Sequence, residues 1–411
     1  MSILSSQFVS RVVGMLTVTV LTASMASAQT NEQVIFSFNG STGDSPSSPL
    51  TADSAGRLYG VTLRGGPKGS FCEAGCGVAF ALAPKAGGGW QYRKLHDFDE
   101  GVSDDEFPGG KLVVDTAGNV YGVTDWDELS NGSVYRLSPS PDGNWTETML
   151  HQFTVNDGIP GSGLVMDSSG HLFGTELSGG TSLLGAVYEL TPNADGSWTY
   201  SVIHSFGPVP DGQSSMGELV LDGAGNLYGT TQVGGTLNNG TVFELSPNGS
   251  DDWTEKILYN FTGGTDESRP NGPVLLDAKG NIYGTTGNGQ SGPGTVFELL
   301  KNSNGSFTEK TLHTFANDGI DGTFPASGLT FDRSGNLYGT TQSGGSNRLG
   351  TVFKMTRLAG GIWTESVVYN FENSFGNSNS PSGLIFRNGT FYGTTEFGGA
   401  DDDGAVFQLK P

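Results

Sequence analysis

The strongest constraint on this 411-residue chain is one short segment, Gly225-Asn226-Leu227-Tyr228-Gly229-Thr230-Thr231, which returns with conservative changes to give seven copies, the others starting at Gly56, Gly118, Gly170, Gly280, Gly335 and Gly389. Their aromatic members, Tyr59, Tyr121, Phe173, Tyr228, Tyr283, Tyr338 and Tyr392, are spaced by 62, 52, 55, 55, 55 and 54 residues. A period this regular marks one supersecondary unit used seven times, so the chain must build an array or a ring.

Residues 218 to 261 read as four strands. Glu218 to Asp222 is the first, and Asp222-Gly223-Ala224-Gly225-Asn226 forms a tight turn whose glycine can take a positive φ. Leu227 to Thr231, Thr241 to Leu245 and Trp253 to Phe261 follow. Segments such as Thr241-Val242-Phe243-Glu244-Leu245 are apolar on both faces, so each small sheet must be covered on both sides. Radial stacking does this, with Gly229 and its equivalents expected to permit close approach between blades. The expected fold is all-β, a seven-bladed β-propeller of four-stranded antiparallel blades.

The two ends decide between ring and open array. The last repeat stops after its third strand, Gly404 to Leu409, while Gln33-Val34-Ile35-Phe36-Ser37-Phe38 matches fourth strands such as Ile257-Leu258-Tyr259-Asn260-Phe261. The N-terminal strand is therefore expected to complete the last blade and leave no open edge.

The G-N-L-Y-G-T-T, G-T-V-F-E-L and W-T-E segments resemble those of the GloVer tandem-repeat family of exported bacterial proteins, described as choice-of-anchor proteins of cell surfaces. The resemblance covers nearly all of the chain after residue 28. It implies an exported repeat protein, often tethered by a C-terminal sorting signal, with no established activity. Here the end, Phe407-Gln408-Leu409-Lys410-Pro411, shows neither anchor helix nor basic stop, so release into periplasm or medium is expected.

Residues 1–28 read as a signal peptide: one charge at Arg11, an apolar stretch from Val12 to about Leu21, and Ala26-Ser27-Ala28 before Gln29. The remainder, 29–411, is expected to form one domain, soluble and monomeric, without membrane insertion. A formal net charge of -22 excludes nucleic acid as a natural partner. The 66 glycines alone would suggest disorder, but 10% aromatics and regular apolar strands argue for a packed core.

In a propeller the loops joining strands four to one and two to three share a rim, here the variable and acidic one. Asp99, Asp104 and Asp105 lie before blade 2, and Asp125-Trp126-Asp127 stands where other blades carry Gly-Gly. Trp126 alone among the tryptophans leaves the fourth-strand register; an aromatic among acids suits stacking on a sugar ring or covering the channel mouth. These six residues are the candidate ligand-binding set, for a glycan or a protein. Asp401, Asp402 and Asp403 are weak candidates for calcium through hard oxygens, without the spacing of a calcium loop.

Catalytic signatures are missing: no H-E-x-x-H, G-x-S-x-G or G-x-x-x-x-G-K-[ST] occurs. Four of the five histidines, His96, His151, His204 and His313, fill the fourth-strand slot that holds Phe36, Tyr259 and Tyr369 elsewhere, so they read as packing residues. The fifth, His171, replaces a turn asparagine. Cys72 and Cys76 share the longest loop of blade 1 and are expected to form a disulfide in an oxidising compartment. The expected function is a non-catalytic binding module using the acidic rim. The alternative is a polysaccharide lyase or glycosidase using loop carboxylates, with calcium the one cofactor left open.

Overall fold

A computed structural model describes residues 31–411 apart from 70–71, 100–106, 126–130, 162, 250–251, 271, 288–291, 326 and 373–378. The signal segment 1–28 and the candidate residues Asp104, Asp105, Trp126 and Asp127 lie outside the described residues.

The chain is an all-β, seven-bladed propeller. Blade 4 shows the plan: Val220–Leu221, Leu227–Thr231, Thr241–Pro247 and Trp253–Asn260 pair in that order, antiparallel throughout. The first strand is shorter than its sequence suggests, because the residues before Val220 turn inward toward the ring axis. Second strands are buried at all five positions in blades 1 to 6. Fourth strands alternate between covered and exposed residues, as an outer edge should.

Hydrophobic packing lies at the seams between blades. One cluster joins Phe173, Val187 and Phe206 of blade 3 to Leu219, Leu227, Phe243 and Leu245 of blade 4, and each of the other six seams has its own. Burying each such side chain contributes roughly 1.5–3 kcal/mol. Fourth-strand tryptophans reach back across the seams: Trp253 meets Phe173 edge-on at 5.6 Å, and Trp90 meets Tyr392 at 5.6 Å. The repeat glycine does a different job from the expected one. A Cβ on Gly229 would lie 2.5 Å from Cζ of Phe243, so the glycine seats an aromatic ring of its own blade rather than a neighbouring backbone.

The last blade is closed by the first strand. Asn31–Ser37 pairs antiparallel with Ala405–Lys410, and the register slips between Val34 and Phe36, skipping Ile35. Blade 4 slips at the equivalent place, skipping Leu258 between Ile257 and Tyr259. The N-terminal strand thus reproduces even the bulge of a fourth strand.

Candidate functional site

The two rims of the ring are built differently. On one, Asp53, Asp115, Asp167, Asp222, Asp277 and Asp332 form equivalent turns. Asp222 Oδ1 accepts the backbone N–H of Ala224 at 2.8 Å and of Asn226 at 2.9 Å, and Asp332 repeats this with Ser334 and Asn336 at 2.8 and 2.9 Å. These bonds hold the Asp222 and Asp332 carboxyls below the usual range despite an opposing contribution from burial. Their acceptor capacity is spent on folding.

On the other rim, loops from neighbouring strands pair into a collar. Gly212–Gln213 pairs with Val233–Gly234 and Gly322–Thr323 with Ser343–Gly344, while Asp44–Arg64, Pro160–Glu176 and Pro270–Thr286 are single bridges. The collar surrounds an axial cavity of about 440 Å³ to which all seven blades contribute, among them Ser48, Asp125, Pro160, Glu218, Ser327 and Ser382.

Most of this wall is small: serine, glycine and proline. Glu218 departs from that pattern. Its repeat position holds Pro49, Lys111, Gly163, Pro273, Gly328 and Gly383 in the other blades, so two of seven positions carry charge, and the charges are opposite. Glu218 is 8% exposed, accepts the backbone N–H of Lys111 and feels the Lys111 ammonium; burial nevertheless raises its carboxyl above the usual range. The connection runs over blade 3, because a Cβ on Gly163 would lie 2.9 Å from Glu218 Cγ and 3.0 Å from Lys111 N. Glycine there lets the glutamate of blade 4 reach blade 2. Sequence reading missed this pair, although the break in the repeat column was visible.

Of the sequence-derived candidates, Asp125 lines the cavity. Asp99 is exposed at the end of blade 1 and is not on that wall. Asp401 to Asp403 form a turn in which Asp402, at φ 66°, accepts the Gly398 N–H at 2.8 Å. Asp403 titrates above the usual range through burial and the repulsion of Asp44, Asp401 and Asp402. Cys72 and Cys76 are joined, with Cα atoms 5.2 Å apart, and pack with Phe98, Leu112 and Tyr135.

The histidine slot is aromatic packing on one side. His96, His151, His204 and His313 each meet the phenylalanine two residues on, edge-to-face at 4.8 to 4.9 Å, as Tyr259 meets Phe261 at 5.1 Å. The polar edge has a second set of neighbours, hidden from sequence: an aspartate of the following loop and the W-T-E glutamate of the next blade. His204, Asp211 and Glu255 meet in this way, and so do His313, Asp321 and Glu365. Burial, then the adjacent aspartate, raises Glu255 to about 8 and Glu365 to about 7.

The seam between blades 2 and 3 is a variation. Tyr200 occupies the W-T-E glutamate position and stacks on His151 at 4.1 Å. Its hydroxyl donates to Glu176, a fully buried carboxylate standing where other blades place threonine. Across the strand pair Ala186 replaces the threonine or serine that normally bonds there, as Thr241 bonds Thr231 at 2.8 Å. Burial lifts Glu176 to about 7.

Seven four-stranded blades around an axial cavity, closed by the first strand, define a β-propeller. The chain belongs to the Gloeobacter/Verrucomicrobia repeat family, whose model matches residues 108–309 and 250–411. No curated protein sequence matches it. Among solved structures it is similar to a luciferin-regenerating enzyme, at 15% identity over 74% of this chain and 91% of that one, with a TM-score of 0.43. It is also similar to the PQQ-bound aldose sugar dehydrogenase of Streptomyces coelicolor, at 11% identity over 93% and 98%, with a TM-score of 0.42.

Proposed function

We propose that this protein is a binding module that takes a glycan into the axial cavity of its collared rim. The observation that carries the reading is Glu218, a buried carboxyl that breaks the repeat at the cavity wall and reaches the backbone N–H of Lys111 over Gly163. A cavity of about 440 Å³ falls within the roughly 300–1,000 Å³ typical of small-molecule sites. Serine hydroxyls, exposed peptide edges, Met216 and prolines on its wall offer the mixture of polar and apolar contacts that a sugar ring needs. Large apolar side chains, Val155, Leu183, Val209, Leu237, Ile320 and Phe324, are exposed on the surrounding loops and suit a longer ligand or a protein partner.

A second reading, a polysaccharide lyase or glycosidase, draws on Asp125 and Glu218 as the two acids of the described wall. One experiment separates them. Wild type, Glu218→Gln and Trp126→Ala are applied to a glycan array with and without calcium. Saccharide capture that falls at least tenfold in Glu218→Gln supports the binding module, and new reducing or unsaturated ends from a captured polymer support the enzyme. Equal binding by wild type and Glu218→Gln, or none by either, removes the axial cavity as the glycan site.

A further inference from the structure

We propose that the seams between blades 3 and 4 and between blades 5 and 6 each hold a divalent transition-metal ion of the zinc type, through His204, Asp211 and Glu255 and through His313, Asp321 and Glu365. These sites lie apart from the axial cavity and do not depend on its function. In each, one imidazole nitrogen and two carboxylate oxygens come within 4.8 Å of one another, supplied by two blades and the loop that joins them. His204 Nε2 stands 3.8 Å from Glu255 Oε1, and His313 Nε2 stands 2.9 Å from Asp321 Oδ2.

Three further observations point to a cation. First, His204 Nε2 and Glu365 Oε1 are sealed from solvent at the atom and have no hydrogen-bond partner, and Glu255, whose Oε1 is equally sealed, faces the Asp211 carboxyl. Groups left this way are costly, and an ion in each seam would satisfy those of its own site. Second, the aspartates are held in place by the backbone: Asp211 accepts N–H groups of Gly207 and Gly212 at 2.6 and 2.7 Å, and Asp321 those of Ala316 and Gly322 at 3.0 and 2.7 Å. Outer-shell bonds of this kind orient metal ligands. Third, the repeat contains its own control. Between blades 4 and 5, Tyr259 replaces histidine, and its hydroxyl donates to Asp266 at 2.9 Å, so the same slot is satisfied without an ion.

The donor set selects the ion. One imidazole with two carboxylates suits zinc and its neighbours, whereas calcium prefers six to eight oxygens. Three protein ligands leave one coordination position of a tetrahedral ion for water.

The test is zinc titration by calorimetry on the full chain after chelator treatment. His204→Tyr and His313→Tyr install the residue the repeat already accepts at Tyr259, so both variants should fold, which circular dichroism checks. Each single variant should bind one zinc fewer than wild type, and the double variant two fewer. Tyr259→His, which brings a histidine to Asp266 and Glu309, should gain one. Millimolar calcium should not compete. Equal stoichiometry in wild type and the folded double variant, or no zinc bound by wild type at micromolar concentration, overturns the proposal.

Discussion

The two rims of the ring are made by the same repeat and have opposite characters. On the Asp-turn rim blades 1 to 6 close on an equivalent aspartate, so Asp222 and Asp332 are interchangeable in role. On the collared rim the loops vary from blade to blade, and carboxylates there make contacts that the repeat does not share, as Glu218 of blade 4 meets Lys111 of blade 2 and Glu176 meets Tyr200 within blade 3. The contrast teaches that in a repeat protein a residue present in nearly every copy is usually consumed by folding. Chemistry is left over where one copy departs.

The comparison rests on a closed ring, and the largest expected effect comes from opening it. Deleting residues 31 to 38 removes the strand that pairs with Ala405–Lys410 and exposes the seams on both of its sides. The product should be unfolded or aggregated by gel filtration; a monomer with unchanged thermal stability would refute the closure.

Next comes Glu176 on the collared rim. Its carboxyl titrates at about 7 in the folded protein against a reference of 4.5. The native state therefore holds this proton more tightly than the unfolded chain, and stability falls as pH rises from about 4.5 to 7 and stays low above that. Glu176→Gln should add roughly 2–3 kcal/mol at pH 8 and almost nothing at pH 4. Chemical denaturation at the two pH values measures the difference; a gain equal at both would show that charge is not the cause.

The smallest effects contrast the rims directly. Asp222→Ala removes two backbone bonds and should cost about 1–2 kcal/mol, whereas Asp401→Ala, in an exposed turn, should leave the Tm unchanged. If Asp401 proves the more costly, the division of labour between rims is wrong.

Much of the fold was legible because each blade repeats its own instructions: a turn aspartate, a ring-seating glycine and a tryptophan opening the outer strand. The limits of Leu227–Thr231 were read to the residue. Closure was legible because Gln33 to Phe38 carry a fourth-strand pattern. The site was less so. Glu218 and Lys111 occupy equivalent positions in blades 4 and 2, and nothing local tells that they meet across blade 3. His204 and His313 fit the aromatic slot and do pack there, yet their ring nitrogens face glutamates some fifty residues away. One blade's sequence specifies which residues lie on its edges, but only the closed ring determines what they meet.

The seam in the last blade also sets a timetable. Gln33 bonds Gln408, 375 positions later. At about 5–20 residues per second on the ribosome, the first strand waits roughly 20 s to over a minute for its partner. Through that interval its edge is unpaired, and the only part of its final surroundings already made is blade 1, where Phe36 stacks on Tyr92 and Phe38 meets Phe80. Whatever shields that strand during synthesis, whether transient pairing with blade 1 or a chaperone, acts on the one part of the molecule that is made first and folded last.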